Sequence, residues 1–273
     1  MTERPLVILG GTGTVGRRVT AALRAQGRLV RTASRRGDIR FDWADRTTWE
    51  PALHGARALF LMAPDGQPIE PELVTEAVRA GVERIVMLSS AAIEVMGDQR
   101  LITSEGTVRG SGVDWTIVRA SWFNQNFDEG FLRSSVLDGV VTLPLGDSRH
   151  GFVDAADIAA VAATCLIEPG HAGRTYVVTG PAALTFAEAV QIVSHASGRP
   201  VVYRGEPEDY LTTAAAAGFS PDQARAQLAA FEALRRHPEE SAATGTVHAL
   251  TGRDPIPFPT YAHRAAAAGA WQD

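Results

Sequence analysis

A glycine-rich loop near the start of the chain joins an apolar strand directly to a helix, and it constrains the fold more than any other feature. In the segment VILGGTGTVGRRV, Gly10, Gly13 and Gly16 stand three residues apart. Gly10 permits a tight turn, Gly13 lets the backbone approach a pyrophosphate, and Gly16 lets the helix pack close to the strand. The helix N-terminus offers unpaired N–H groups and a positive dipole to phosphates. We therefore predict a nucleotide-binding loop made of Gly10, Thr12, Gly13, Thr14, Val15 and Gly16.

Strands and helices alternate through the first half of the chain, a pattern typical of βαβ units in a parallel sheet. The patterns predict strands at 5–9, 28–34, 38–43, 56–62, 83–90 and 114–120, and helices at 15–26, 46–54, 68–80 and 99–110. A strand at 174–180 is expected to rejoin the sheet, and the remainder is mostly alanine-rich helix, including 206–218, 220–237 and 259–268.

The predicted fold class is α/β, a Rossmann-type doubly wound parallel sheet with a small, mostly helical C-terminal substrate region. The predicted division is a Rossmann domain at 1–153, which 154–180 rejoins, followed by a smaller substrate-binding or lid region at 181–273. In the apolar helix after residue 153, Asp154 is expected at the N-cap and Asp157 at the third helical position, as a carboxylate version of a capping box. Cys165, the only cysteine, is expected to be a core residue.

The end of the second strand indicates which dinucleotide binds. An NAD-binding protein carries an acidic residue roughly 20 positions after the loop, which holds the ribose 2′-OH. This chain has Ser34, Arg35 and Arg36 there. Two guanidinium groups and a hydroxyl suit a 2′-phosphate, so NADP(H) is the predicted cofactor, the alternative being a solvated arginine pair on a turn.

Composition excludes several classes of protein and of chemistry. A net charge of -5 disfavours a nucleic-acid partner, and the sequence contains neither a membrane-spanning segment nor an export signal, so we expect a cytoplasmic protein. All 26 basic residues are arginine, which excludes Schiff-base lysines and a Tyr-x-x-x-Lys dyad. No His, Asp and Glu grouping has metal-ligand spacing, so no metal site is predicted. The expected partner is a small-molecule substrate, with a homodimer left open.

Several segments together resemble the NmrA-like group of atypical short-chain dehydrogenases/reductases. These segments are GGTGTVG, the arginine pair, LMAP at 61–64, MLSSAA at 87–92 and GSGVDWTIVRASWFNQNF at 110–127. GFVDAADIA, the strand at 174–180 and TGRDPIPF also look like members with a C-terminal substrate region, including quinone reductases and ergot-alkaloid iminium reductases.

The resemblance implies roles for further residues. Met62, Ala63 and Pro64 would pass along the cofactor, Asp42 and Trp43 would lie near the adenine, and Ser89, Ser90 and Ala91 would lie beside the nicotinamide ribose. Trp122, Phe123 and Asn126 would line the nicotinamide and substrate side. In each case a purely structural role is the alternative: MLSS as the end of a strand, and Trp122 and Phe123 as core aromatics.

The chain also departs from its relatives. The tyrosines, at 176, 203, 210 and 261, fall too late for the usual Tyr-Lys dyad. Glu105 stands near the position where several members carry a lysine, and Ala120 stands where a proline is common. These departures put ordinary carbonyl reduction in doubt.

A missing general acid favours substrates that need none. Hydride addition to a ketone leaves an alkoxide that must be protonated, whereas an iminium or a quinone makes little demand on a side-chain acid. The leading hypothesis is thus an NADPH-dependent reductase of an imine, iminium or quinone. His150, in the glycine-flanked loop DSRHG, is the first candidate for an assisting or substrate-binding side chain, followed by Glu105, Ser90 and Asp147, although a plain surface histidine is the alternative. A non-catalytic NADP sensor and a non-redox Rossmann enzyme such as a cyclase or isomerase remain as other hypotheses.

Overall fold

A seven-stranded parallel sheet forms the centre of the molecule. The computed structural model describes residues 3–64 and 66–272. The sheet order is β3-β2-β1-β4-β5-β6-β9, with every pair parallel. The strands are β1 Leu6–Leu9, β2 Val30–Ser34, β3 Ile39–Arg40, β4 Ala58–Met62, β5 Arg84–Ser90, β6 Asp114–Ala120, β7 Val140–Thr142, β8 Arg149–His150, β9 Arg174–Val178, β10 Leu184–Thr185 and β11 Val202–Arg204.

Helices cover both faces of this sheet, which confirms the doubly wound α/β prediction. The helices are α1 Thr14–Ala25, α2 Trp49–Leu53, α3 Pro71–Arg79, α4 Gln99–Arg109, α5 Arg133–Leu137, α6 Ala155–Ile167, α7 Phe186–Ser197, α8 Pro207–Ala216, α9 Pro221–Arg236, α10 Thr246–Thr251 and α11 Phe258–Ala267. One core joins α1 and α6 to the sheet, and a second joins α2, α3 and α4 to the other face. All four residues of β1 are buried, as a parallel strand covered on both faces requires.

The direction of winding reverses between β1 and β4. From β1 the chain winds outward through β2 to β3, and then returns to place β4, β5 and β6 on the other side. In such sheets ligands bind outside the carboxyl ends of the strands at this switch point. The loops after β1, β2, β4 and β5 therefore meet at one edge.

Most predicted elements are present, although their ends differ. The strand at 114–120 is confirmed residue for residue, and β9 rejoins the sheet beside β6. The strand predicted at 38–43 ends at Arg40, because the backbone at Asp42 turns to bond the Thr48 hydroxyl and the Trp49 indole. The helix predicted at 46–54 begins as a 3₁₀ turn before α2.

The start of α6 confirms one cap and corrects the other. The Asp154 carboxylate accepts a hydrogen bond from the Ala156 N–H, as an N-cap does. Asp157 does not complete a capping box: its fully buried carboxylate accepts from the Ile256 N–H at 2.7 Å and pairs with Arg253 at 3.0 Å. Asp157 thus ties the C-terminal tail to α6. Cys165, on the same helix, is buried in the core, as predicted.

A third core lies outside the sheet. It combines aromatic and aliphatic side chains from 127–152 with others from 184–271, including Phe127, Phe152, Phe186 and Phe258. Two small sheets join the same segments, because β7 pairs with β11 and β8 with β10. Residues 127–152, assigned by the sequence division to the Rossmann domain, thus pack with the C-terminal lobe. Between residues 3 and 272, Asp65 apart, no helix is long and apolar enough to cross a membrane.

Candidate functional site

The glycine loop has the geometry that phosphate binding requires. Gly10 has a φ of +66°, a left-handed conformation that favours glycine. A Cβ atom at Gly16 would lie 2.2 Å from the Gly10 carbonyl oxygen, so only glycine lets α1 start this close to β1. A Cβ atom at Gly13 would lie 3.3 Å from the Gly10 carbonyl oxygen, its nearest neighbour. Packing within the protein therefore restricts position 13 to glycine less strictly than position 16. Val15, in the first turn of α1, is buried in the core that joins this helix to the sheet.

A cavity of about 470 Å³ opens beside this loop at the ends of β1, β2 and β4. Its charged donors are Arg35 and Arg36, both exposed, and neither guanidinium forms an ion pair or hydrogen bond within the part of the chain that the structure describes. The Ser34 hydroxyl accepts from Thr12 at 3.2 Å. The full lining is Gly10, Thr12, Gly13, Ser34, Arg35, Arg36, Phe41, Asp42, Trp43, Met62, Ala63 and Pro64.

These residues fit the adenine and 2′-phosphate half of NADP(H). All of the lining residues except Phe41 are ones that the sequence places along the cofactor. Phe41 is buried and packs edge-to-face against Trp43, with ring centroids 5.1 Å apart, and it therefore fixes the indole on the cavity wall. Two guanidinium groups without partners suit a phosphate dianion.

A second cavity, of about 280 Å³, lies at the ends of β5 and β6. The sequence-predicted Ser89, Ser90, Ala91, Trp122, Phe123 and Asn126 all line it. Because β4, β5 and β6 are neighbours in the sheet, this cavity lies further along the same edge as the first. The remaining lining residues are Ala92, Met96, Ala120, Ser121, Leu234, Glu240 and Ser241.

Sequence reasoning missed the part of this wall that the C-terminal lobe supplies. Leu234 lies in the last turn of α9, and Glu240 and Ser241 lie in the 3₁₀ turn at Pro238–Ser241. None of them belongs to a motif, and only the packing of the third core brings them to β5 and β6. Ala92, at a φ of +57°, makes the bend that carries the chain from β5 past the cavity.

Glu105 lies behind the cavity wall, in a buried charge cluster. Its carboxylate accepts from the Ser89 hydroxyl at 2.7 Å, from Arg119 Nε at 2.8 Å and from Arg109 at 2.7 Å. Burial alone would raise the pKa of Glu105, but the hydrogen bonds from Arg119 and Ser89 outweigh burial and hold that pKa below its usual value. A carboxylate with a lowered pKa is a poor proton donor, so Glu105 serves to position Ser89.

His150 is also behind the wall, so the alternative of a plain surface histidine is wrong. The ring is fully buried, and this burial lowers the pKa of His150 to about 4. The Ser148 hydroxyl donates to the Leu145 carbonyl at 2.6 Å, so it must accept from His150 Nε2–H at 3.0 Å. His150 Nδ1 therefore carries no proton and accepts from the Ser241 hydroxyl at 3.1 Å. In this tautomer the ring N–H donates to Ser148, so His150 has no proton that it can donate to a ligand in the cavity.

The other candidate donors lie away from the cavity. Asp147 is exposed and does not line it. All four tyrosine hydroxyls have partners elsewhere: Tyr176 with His171, Tyr203 with the Leu143 carbonyl, Tyr210 with Gln227, and Tyr261 with Asp128. Of the four candidate side chains, His150, Glu105, Ser90 and Asp147, only Ser90 lines the cavity.

Thr14, at the first turn of α1, already holds an acidic partner. Its hydroxyl donates to Glu129 at 2.9 Å, and Arg18 pairs with the same carboxylate at 2.7 Å. Burial opposes ionisation of Glu129, but hydrogen bonds from Arg18, Arg17 and Thr14 lower its pKa to about 2. The loop after β6 is thus fastened to the helix that faces the phosphates, a contact that no sequence pattern indicated.

Comparison with known proteins agrees with this geometry. A model of the family described as NAD(P)H-binding matches residues 10–169. The chain is 36% identical over 275 residues to a (4-alkanoyl-5-oxo-2,5-dihydrofuran-3-yl)methyl phosphate reductase of Streptomyces griseus, which covers 93% of this chain and 95% of that protein. It is 32% identical over 290 residues to the uncharacterized oxidoreductase YesF of Bacillus subtilis, covering 99% and 98%.

The fold is similar to that of NmrA, a negative transcriptional regulator solved in complex with NAD. The TM-score is 0.72 at 17% identity, and the match covers 99% of this chain and 97% of that one. The family model and the two relatives identify this protein as an NAD(P)H-dependent oxidoreductase. The chain belongs to the NAD(P)H-binding family, and its fold is the one that the NmrA-like resemblance in the sequence implies.

Proposed function

We propose that this protein is an NADPH-dependent reductase of small molecules that are already electrophilic, imines or iminium ions and quinones, and that it works without a Tyr-Lys dyad. One observation carries the proposal. Among the residues that the structure describes, no tyrosine, histidine or basic side chain lines the cavity at the ends of β5 and β6. The hydroxyl and amide groups of its wall belong to Ser89, Ser90, Ser121, Asn126 and Ser241.

Such a wall can orient two reactants but supplies little acid catalysis. NADPH, when bound, provides the hydride. An iminium carbon that accepts hydride forms its C–H bond while the C=N π electrons move to nitrogen, and the neutral amine needs no proton. A quinone accepts hydride in the same way and becomes an aryl oxide that water can protonate later. Positioning of this kind accounts for a large part of many enzymatic rates.

The serines at the end of β5 have distinct tasks in this proposal. The Ser89 hydroxyl donates its hydrogen bond to Glu105. Its oxygen can therefore only accept further hydrogen bonds, for example from a ribose hydroxyl. Ser90 lines the cavity and bonds only the neighbouring Ala91 carbonyl, at 3.3 Å, so it can turn to a ligand. Trp122 and Phe123 provide flat apolar surface for a planar substrate.

A phosphate-bearing substrate like the one named for the Streptomyces relative fits this cavity poorly. Phosphate recognition uses arginine, lysine or a helix N-terminus. The cavity wall has no basic residue, and its one ionisable side chain is the carboxylate of Glu240. The proposal therefore keeps the reductase activity of that relative but not its substrate.

The test is a substrate panel. NADPH oxidation is followed spectroscopically with cyclic iminium salts, quinones and simple ketones, after a titration has established NADPH binding. We expect turnover of iminium ions or quinones, with ketones slower by about 100-fold or more, the usual contribution of a general acid. Efficient ketone reduction would contradict the acid-free mechanism. Binding of NADPH without turnover of any compound would favour the sensor or the non-redox hypothesis instead.

A further inference from the structure

The cavity at the ends of β5 and β6 carries one net charge on its wall. Its lining is mainly apolar, and Glu240 is the single ionisable residue among the thirteen that form it. We infer that Glu240 makes this cavity selective for cationic substrates, so that iminium ions are preferred over neutral quinones and anions are rejected. The inference rests on the proposed reductase function and names the substrate class within it.

Glu240 is available for this task because its neighbours are paired and it is not. Glu239 is held by His237 at 2.9 Å, and Arg236 pairs with Glu232 at 3.3 Å. Glu240 lines the cavity and is exposed to solvent, and within residues 3–64 and 66–272 its carboxylate has no ion pair or hydrogen bond. A carboxylate without a protein partner at the wall of a ligand cavity is free to pair with a cation.

The aromatic groups around the cavity support the same charge preference. Trp122 forms part of the wall, and its ring stacks on Phe231 with centroids 6.4 Å apart and an interplanar angle of 22°. Phe131, which is 59% exposed, lies 6.4 Å from the same indole. Aromatic faces attract cations, and tryptophan attracts them most strongly. A flat iminium ion in the cavity would thus meet Glu240 and the aromatic side chains of Trp122 and Phe123, while Phe131 and Phe231 support the indole from outside the wall.

The chemistry predicts which kinetic constant Glu240 controls. Hydride transfer neutralises an iminium ion, so the attraction to Glu240 is largest in the bound substrate and smaller in the transition state. An interaction of this kind lowers KM without raising kcat, and it weakens once the neutral amine has formed. Loss of the carboxylate should therefore raise KM for a cation and leave kcat unchanged or slightly higher.

The experiment compares a cation and a neutral acceptor on matched variants. N-methyl-3,4-dihydroisoquinolinium and menadione are assayed with the natural protein, with Glu240→Gln and with Glu239→Gln, the adjacent carboxylate that does not line the cavity. We expect Glu240→Gln to raise KM for the iminium ion about five- to tenfold, as for a solvent-accessible ion pair, and to change KM for menadione much less, because menadione carries no charge. Glu239→Gln should match the natural protein. Thermal unfolding verifies that both variants fold.

The outcomes separate this inference from the proposed function. Turnover of menadione with no activity on and no affinity for the cation would overturn charge selection while leaving the reductase intact. Equal loss of kcat on both substrates in Glu240→Gln would also overturn it, because that pattern belongs to a proton donor. If neither compound is reduced, the reductase proposal fails, and calorimetric titration of the cation onto the NADP⁺ complex decides the inference. Binding that Glu240→Gln weakens supports the inference, and binding that it leaves unchanged, or no binding, overturns it.

Discussion

At the scale of single residues, Arg35 and Arg36 give the structure its clearest cofactor preference. Both guanidinium groups border the cavity beside Ser34. Changing both to alanine should raise the Kd for NADPH roughly 10- to 100-fold, the value of one or two charge-assisted hydrogen bonds, and should barely affect NADH. Fluorescence titration of each cofactor measures the two constants. Arg40→Ala is the matched control, since Arg40 is exposed and pairs with Asp45 outside this cavity. Equal losses for both cofactors would refute the 2′-phosphate assignment.

His150 predicts a pH dependence of stability. Burial lowers its pKa from 6.5 in the unfolded chain to about 4, so the folded state favours the neutral ring. The contribution of the neutral His150 ring to the free energy of unfolding is fully present above about pH 6.5 and is lost as the pH falls toward 4. A difference of 2.5 pH units corresponds to about 3 kcal/mol.

The measurement is urea unfolding at pH 7 and at pH 4. Between pH 7 and pH 4 the free energy of unfolding should fall in both proteins, and the fall should be about 3 kcal/mol smaller in His150→Gln, because glutamine cannot be protonated. His54→Gln is the control, since His54 is exposed and its side chain is 80% accessible. The same pH slope in His150→Gln and the natural protein would mean that His150 does not titrate in this range.

At the scale of elements, Asp157 shows how α6 holds the C-terminal tail. Asp157→Ala leaves the Ile256 N–H without its acceptor and removes the ion pair with Arg253, so we expect a loss of about 2–4 kcal/mol. Asp157→Asn keeps an acceptor oxygen and should lose less. Hydrogen exchange of 253–257 should quicken more in the alanine variant. Equal effects of the two substitutions would show that the hydrogen bond to Ile256 contributes little.

Elements whose signals are local could be predicted from the sequence, and those fixed by distant contacts could not. The glycine loop, the arginine pair and the ends of β4 and β5 each carry their chemistry in consecutive residues, and parallel strands bring these ends to one edge. Glu240 and Ser241 reach the same cavity only through packing of the third core, some 150 residues from Ser90 in the sequence. Asp157 looks like a capping residue until its partner, Ile256, is known.

At the scale of the whole molecule, the two lobes share residues in a way that the order of the chain hides. The C-terminal lobe is built from 184–271, yet 127–152 contribute Phe127, Val136, Val141 and Phe152 to its core. Each of these side chains is at most 2% exposed. Phe127 and Phe152 both contact Phe186 and Phe258 of the later segment. The cavity at the ends of β5 and β6 lies where this interleaved lobe meets the sheet, so its wall depends on both segments.

A chain truncated after Gly180 tests this interleaving, because it keeps all seven strands of the main sheet and loses the later part of the third core, together with α10 and the tail that pack against α6. Exposure of the four side chains at about 1.5–3 kcal/mol each approaches the whole stability of a typical domain. We expect the truncated chain to bind a hydrophobic dye and to unfold without a cooperative transition. Co-expression of residues 181–273 as a separate chain should restore cooperative unfolding and NADPH binding, since the missing partners return. Cooperative unfolding of 1–180 alone, without dye binding, would instead mean that the Rossmann part is an independent unit and that 127–152 do not need the later segment.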